Sequence, residues 1–324
     1  MPKAIETQER ILVTGGAGFI GSHIVDASLA AGHHVAVVDN LHTGHRENVN
    51  PAAAFYLQDI GDVPSLKYVF AKEKPTIVCH QAALADVRAS LRDPAAYAAV
   101  NVIGTLNVLE TARGTDSVRK ILFASTGGAI YGDPAELPAT EACPAHPLDP
   151  YGASKLACEY YIETYRHNFD MEYCVLRYAN VYGPRQDPNG EAGVVAIFGG
   201  AMLDSLRLVE KQGRPVVVNG DGKQTRDFVY VEDVARANVL AMQRGSGIYN
   251  VGTGVPTDIN AIFRELARLT GYTLPECHGP RKVGEVYATY LDGGRAAREL
   301  GWAPEVTLAE GLARTVAYFR AQGA

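Results

Sequence analysis

The sequence predicts an α/β fold: a doubly wound parallel sheet with helices on both faces, joined to a smaller C-terminal α/β lobe. Three observations predict it. From Arg10 to about Tyr178, short β-branched runs alternate with amphipathic stretches, the pattern of successive βαβ units. Each run is mostly apolar rather than alternating, as strands buried on both faces are. The first run passes directly into a glycine-rich turn and a helix start, ILVTGGAGFIG from Ile11 to Gly21.

In chain order, the pattern predicts strands over 11–14, 35–39, 54–58, 76–80, 121–125 and 173–178. Helices over 20–30, 63–71, 97–111 and 151–167 fill the gaps. Beyond Asn180 the punctuation changes. Gly183-Pro184, the 187–190 run DPNG and the 220–222 run GDG mark long loops, with a helix over 194–211 and a strand over 215–218 between them. A strand over 227–231, a helix over 232–243 and a strand over 248–250 are expected to return to the large sheet. Helices near 257–270 and 308–321 close the second lobe. The expected division is 1–180 plus about 227–252 for a dinucleotide-binding domain, and about 181–226 plus 253–324 for a substrate lobe.

Composition narrows the partners. With 324 residues, 47% hydrophobic and 20% charged, the chain buries a sizeable core. The net charge of −6 supplies no excess of cations for a nucleic-acid backbone or an anionic membrane, so neither is expected as a partner. The five cysteines are scattered and form no C-x-x-C pair, which points to reduced thiols and to no metal site. A polar start without an apolar segment, and no run of ~18 apolar residues, predict a cytoplasmic protein.

The glycines of the first turn have a purpose. They permit a tight strand-to-helix turn, let backbone approach a pyrophosphate, and present helix N-terminal amides to its charge, a Rossmann-type arrangement. Eighteen residues after Gly21, the second strand ends in Asp39-Asn40. A carboxylate there accepts hydrogen bonds from ribose hydroxyls and repels a 2′-phosphate, so NAD is expected over NADP. Asp39 could instead be a plain turn residue. Asp59-Ile60 falls where a loop could hold adenine, although Asp59 also suits a helix start. Gly15, Gly18, Phe19, Ile20 and Gly21 complete the expected cofactor turn.

The string YGASK sets Tyr151 and Lys155 four residues apart, one helical turn, so both face the same way. A nearby cation favours phenolate and lowers a phenol pKa from near ~10, which makes a tyrosine usable as a general base towards a hydroxyl. Thr126, at the end of the strand over 121–125, offers a hydroxyl to bridge substrate and Tyr151. The pair alone is common on amphipathic helices; the nucleotide turn and the Ser125-Thr126 strand end give it meaning.

These strings resemble the extended short-chain dehydrogenase/reductases, and among them the UDP-glucose 4-epimerases. The resemblance runs through nearly the whole chain. It includes VDNL at 38–41, HQAA at 80–83, NVIGTLNVLE at 101–110, RYANVYGPRQ at 177–186, RDFVYVED at 226–233 and YNVG at 249–252. It implies a tightly held NAD and a cycle in which Tyr151 removes the C4 hydroxyl proton, hydride passes to NAD, and the 4-keto sugar turns over and is reduced on its other face. It further implies cofactor contacts at Ala82, Ala83, Asn101, Lys155 and Tyr178. Substrate contacts are implied at Thr126, Asn180, Val195, Val218, Arg226, Lys282, Glu285 and Thr289. Arg226 has its own rationale, since a guanidinium suits bidentate phosphate binding; a surface pair with Asp227 or Glu232 is the alternative. The helices over 97–111 and 151–167 resemble those that pair in family dimers, so a homodimer is expected.

Related dehydratases and decarboxylases carry an acid just after the strand-end Ser/Thr, where this chain has Gly127-Gly128. Plain 4-epimerisation fits better. Ala85 stands where well-known epimerases have lysine, and KVGE at 282–285 stands where many have an Arg-x-Gly-acid string, so Arg281 or Lys282 would substitute in the diphosphate clamp. Thr289 matches a bulky tyrosine that excludes N-acetylated sugars, and a smaller residue leaves room for them. Arg185 has two readings: a partner for a uronate carboxylate, making a UDP-glucuronate 4-epimerase, or a structural arginine tying its loop. A net oxidoreductase exchanging free coenzyme and a non-catalytic nucleotide-binding protein are the remaining alternatives.

Overall fold

The computed structural model describes residues 8–188, 193–207, 215–281 and 286–323. The first half runs β1 (Arg10–Thr14), α1 (Phe19–Ala30), β2 (His34–Asp39), β3 (Ala54–Leu57), α2 (Val63–Glu73) and β4 (Ile77–His80). It continues with α3 (Val87–Arg92), α4 (Pro94–Tyr97), a π-helical segment Ala98–Ile103, α5 (Gly104–Arg113), β5 (Lys120–Thr126), α6 (Gly127–Ile130), α7 (Pro150–Phe169) and β6 (Glu172–Tyr178). The second half runs β7 (Asn180–Tyr182), α8 (Val194–Arg207), β8 (Val217–Asn219), β9 (Thr225–Tyr230), α9 (Val231–Gln243), β10 (Gly247–Val251) and β11 (Pro256–Asp258). It ends with α10 (Ile259–Thr270), β12 (Cys277–Gly279), β13 (Ala288–Thr289), α11 (Gly294–Leu300) and α12 (Leu308–Gln322).

A seven-stranded, all-parallel sheet has the order β10-β6-β5-β4-β1-β2-β3. The order reverses between β1 and β4, and ligands of such sheets bind at that switch, beyond the carboxyl ends of the strands. Alternate residues of each strand serve two cores. Ile11 and Val13 pack with Ile24, Val25, Val234 and Trp302 beneath α1 and α9, while Leu12 packs with Val69, Phe70, Val108 and Ile162 beneath α2, α5 and α7. Burial on both faces is why these strands read as unbroken apolar runs.

The smaller region has a four-stranded sheet in which β9 lies between β11 and β13 and also pairs with β7. Its core gathers Phe198, Met202, Phe228, Tyr230, Ile262, Phe263 and Leu312. The strand expected over 227–231 therefore does not return to the large sheet; β10 does, against β6. Only the helix that follows, α9, covers the large sheet, where it packs on α1. Among the described residues no helix is long and apolar enough to cross a membrane.

Candidate active site

The first turn is built by exclusion. Gly15 has φ +71°, and a Cβ on it would lie 2.6 Å from the Ala82 backbone nitrogen. A Cβ on Gly21 would meet the Gly15 carbonyl oxygen at 2.1 Å, so β1, the start of α1 and the end of β4 close on one another only with glycine there. Gly18 caps α1 without any side-chain hydrogen bond, and the first turn carries no acid. The amides of Phe19, Ile20 and Gly21 thus begin a helix whose N-terminal dipole is left to an anion. This is the donor set a pyrophosphate needs.

Asp39 ends β2 beside this turn and is almost fully buried. Its Oδ2 accepts the Ala17 amide at 3.0 Å and its Oδ1 the Leu41 amide at 2.8 Å. A carboxylate retains acceptor capacity after two such bonds, so Asp39 fixes the turn and keeps lone pairs that a ribose diol could use. Asn40 Nδ2 donates to Asp59 Oδ2 at 2.7 Å, and the Gly61 amide donates to Asp59 Oδ1 at 2.6 Å, which joins the loops after β2 and β3. Ile60 is buried, and its carbonyl accepts from Asn107 at 3.1 Å. The residues present fit NAD.

On α7, Asp149 is the N-cap and accepts the Gly152 amide at 2.8 Å, while Pro150 opens the first turn. Tyr151 follows at once, and Lys155 lies one turn on, buried against β5. Lys155 Nζ donates to the Ala124 carbonyl at 2.9 Å and sits 4.8 Å from the Phe123 ring centre. Two residues further along β5, Thr126 Oγ1 accepts the Ala129 amide at 3.3 Å and caps α6. Lys155 and Thr126 thereby lie at the carboxyl end of β5, with Tyr151 in the first turn of the helix that carries Lys155. Asn180 joins them: its Oδ1 is 3.8 Å from where a Cβ on Gly128 would stand.

A buried polar network stands behind this cluster. Thr105 donates to the Asn101 carbonyl. Its oxygen therefore accepts from His80 Nε2 at 2.9 Å, leaving His80 Nδ1 to accept the Thr14 hydroxyl at 2.6 Å. Burial, with the Lys155 cation adding to it, pushes the His80 imidazole down to about 3, so it stays neutral. Asn101 spends its amide on structure: Oδ1 accepts the Leu84 amide, and Nδ2 donates to the Leu84 carbonyl and to Ser154 Oγ. Asn101 thus buttresses the site, its donors holding the segment after Ala82 and Ala83 to the helix of Tyr151.

The remaining expected contacts have the following surroundings. Tyr178 lies beside Thr126 in register, but its hydroxyl is buried with Asn238 at 2.9 Å and Gln81 at 3.3 Å, and desolvation raises its pKa strongly. Val195 and Val218 are fully buried in the small-sheet core, so their side chains face no cleft. Arg185 is ion-paired to Asp26 of α1 at 2.8 Å, the structural alternative of its two readings. Arg226 lies on β9 opposite Thr289 of β13, with Nη1 donating to the Thr225 carbonyl at 2.8 Å, and Thr289 is buried. Lys282 and Glu285 lie outside the described residues.

Two groups escaped the sequence reading. Asp227, weighed only as a surface partner for Arg226, is buried and accepts from the Thr253 amide and hydroxyl, the Gly254 amide and the Leu291 amide. It ties β9 to the end of β10 and to the segment of Leu291; burial raises its pKa despite these bonds. Glu159 and Arg177 form a bidentate buried pair at 3.0 and 2.6 Å, with Ser125 donating to Glu159 and Arg177 donating to Tyr131 at 2.9 Å. The spacing of Glu159 one turn beyond Lys155 was the available signal.

The NAD dependent epimerase/dehydratase family model matches residues 11–252. The UDP-glucose 4-epimerase of Mycolicibacterium smegmatis is 44% identical over 319 residues, covering 96% of this chain and 98% of that protein. A crystal structure of the Thermotoga maritima UDP-glucose 4-epimerase with UDP-glucose has a TM-score of 0.92 at 47% identity, covering 97% and 99% of the two chains. The Thermus thermophilus UDP-glucose 4-epimerase in complex with NAD has a TM-score of 0.89 at 45% identity, covering 96% and 99%. On these matches, taken with the glycine turn and the Tyr151–Lys155 helix, the chain belongs to the NAD-dependent epimerase/dehydratase family.

Proposed function

We propose that the chain is an NAD-dependent 4-epimerase of a UDP-hexose, with UDP-glucose and UDP-galactose as the first pair to test. One observation carries this reading. Buried Lys155 donates to the Ala124 carbonyl two residues before Thr126, with Tyr151 one turn earlier on the same helix, and the position that would carry an elimination acid, Gly127, has its side-chain space filled by Leu291.

NAD held on the α1 turn and by Asp39 supplies reversible hydride storage. The chain's own groups do the rest. Tyr151 takes the proton of the C4 hydroxyl, Lys155 stabilises its phenolate form, and the Thr126 hydroxyl holds the C4 oxygen. After the 4-keto sugar presents its other face, the same phenol returns the proton to the same oxygen. Arg226 and Asn180, projecting from β9 and β7, are proposed to receive the UDP diphosphate. The modest size of Thr289 leaves N-acetylhexosamines as a second substrate class. UDP-glucuronate is less favoured, because the cation suggested for its carboxylate is engaged by Asp26.

We infer a cytoplasmic homodimer that buries the exposed apolar residues of α7 and the π-helical segment. Tyr160 is 62% and Ile103 54% exposed, more than such side chains usually are. A monomeric mass in solution would count against it. For the activity, purified protein is offered UDP-glucose, UDP-N-acetylglucosamine and UDP-glucuronate, with 4-epimer formation and NADH both followed. Epimer without NADH build-up is expected; stoichiometric NADH would establish a net oxidoreductase instead.

A further inference from the structure

The loop after β7 leaves the small sheet and is fastened to the first βα unit of the large one. His23 Nε2, on α1, donates to the Pro184 carbonyl at 3.0 Å. Arg185 Nη2 pairs with Asp26 Oδ2 one turn further along α1 at 2.8 Å, and Asp187 Oδ2 lies 3.9 Å from His45 Nε2. These anchors sit on α1 and on the loop after β2, the two segments that adjoin the glycine turn. His23 and Asp26 lie within the two turns of helix that begin at Phe19, and the His45 amide donates to the Ala17 carbonyl at 3.0 Å, inside that turn. Asp26 Oδ1 also accepts Asn50 Nδ2 at 2.8 Å, so one carboxylate ties together α1, the segment after β2 and the loop from the small sheet.

The loop is held against local preference. Arg185 has φ +67°, a conformation that costs a side-chain-bearing residue energy and persists only when its surroundings impose it. Its Nη1 is buried without a hydrogen-bond partner among the described residues. Burial pushes His23 down to about 4, so the bond to Pro184 is made by a neutral ring and does not open as neutral pH is crossed. Such an arrangement is costly for a spacer and sensible for a fastening.

We propose that the Arg185–Asp26 pair is a coenzyme-retention strap, which must open before NAD leaves the glycine turn. The proposal rests on the reading of that turn as the NAD site. An enzyme that returns its hydride in every cycle gains nothing by exchanging coenzyme, and a tie between the small sheet and α1 couples coenzyme release to separation of the two. Arg185 then sets residence time, and the sugar's C6 substituent is irrelevant to it.

The test loads wild type, Asp26→Ala and Arg185→Ala with NAD, removes free coenzyme, and follows release with a trapping dehydrogenase. Each single variant should release NAD about fivefold faster, the range for one partly buried ion pair coupled to a binding site. The double variant should release no faster than either single one. The charge swap Asp26→Arg with Arg185→Asp should recover most of the slow release, which a general loosening of the fold would not. Release at the wild-type rate from both single variants, or a swap as fast as they are, overturns the strap alone. A wild-type protein that takes up no NAD overturns both the strap and the site it guards.

Discussion

Leu291 fills the space that a side chain on Gly127 would need, with an ideal Cβ there lying 2.4 Å from Leu291 Cδ1 and 2.7 Å from Cδ2. Leu291 is itself buried with Ile130, Tyr131 and Ala139, so it has nowhere to move. Gly127→Ala should overpack this closed site and cost about 1–3 kcal/mol, read as a lower denaturation midpoint. At Gly128 the nearest atom is 3.8 Å away, and Gly128→Ala should spare stability while crowding the cleft between Thr126 and Asn180. Equal destabilisation by the two would refute this packing argument.

Tyr151→Phe removes one oxygen from the first turn of α7 and leaves the helix capped by Asp149. Turnover should fall by roughly 10²–10⁴-fold, the usual worth of a positioned proton acceptor, with melting temperature nearly unchanged. Near-wild-type kcat would remove Tyr151 from the mechanism.

Asp39 does two jobs, and the right substitution separates them. Asp39→Ala strands the amides of Ala17 and Leu41 as well as deleting charge, so it should lose stability along with NAD affinity. Asp39→Asn removes the charge and keeps one acceptor oxygen where the two amides use two, so it should lose less stability than alanine. It should narrow the preference for NAD over NADP by roughly tenfold, or ~1.4 kcal/mol, measured as the ratio of the two dissociation constants. An unchanged ratio would mean that no carboxylate faces the 2′ position.

Much of the large sheet could be read from sequence because its signals are local. Ile11 to Gly21 carries strand, turn and helix start in one string, and the inner strands β1, β2, β4 and β5 are buried on both faces. Asp227 was opaque for the opposite reason: its four donors come from Thr253, Gly254 and Leu291, brought to it only by the small sheet. The partners of Asn101 and Tyr178 are equally hidden, because a residue's position does not say which buried neighbours its polar atoms meet. The strand of β9 was assigned to the wrong sheet because a buried strand shows the same apolar run in either. Short α3 and α11 fall below the length at which periodicity is informative.

Glu159 and Arg177 are both almost fully buried, each the other's main charge partner. Glu159→Gln leaves a guanidinium under the sheet without a compensating carboxylate and should cost about 3–5 kcal/mol of unfolding free energy. Replacing the pair together, Glu159→Leu with Arg177→Met, should cost markedly less than the single change, because no charge is then stranded. Denaturant titration of the three proteins decides it; a double variant less stable than Glu159→Gln would show that the pair's wider network, through Ser125 and Tyr131, matters more than its charge balance.

His80 gives the fold an acid sensitivity whose sign can be worked out. Its pKa is about 3 in the native protein, against 6.5 when free. Above 6.5 both states carry the neutral ring and stability does not respond. Below it the unfolded chain binds a proton that the native one refuses, so stability falls by ~1.4 kcal/mol per pH unit until the native ring also titrates. His80→Gln should be less stable than wild type at neutral pH, having lost the bonds to Thr14 and Thr105. Because glutamine does not titrate, the gap should shrink by about 2 kcal/mol between pH 7 and pH 5 in urea unfolding. A gap of constant size would mean that the native ring takes up its proton as readily as the unfolded one, and the neutral Thr14–His80–Thr105 chain behind Lys155 would have to be redrawn.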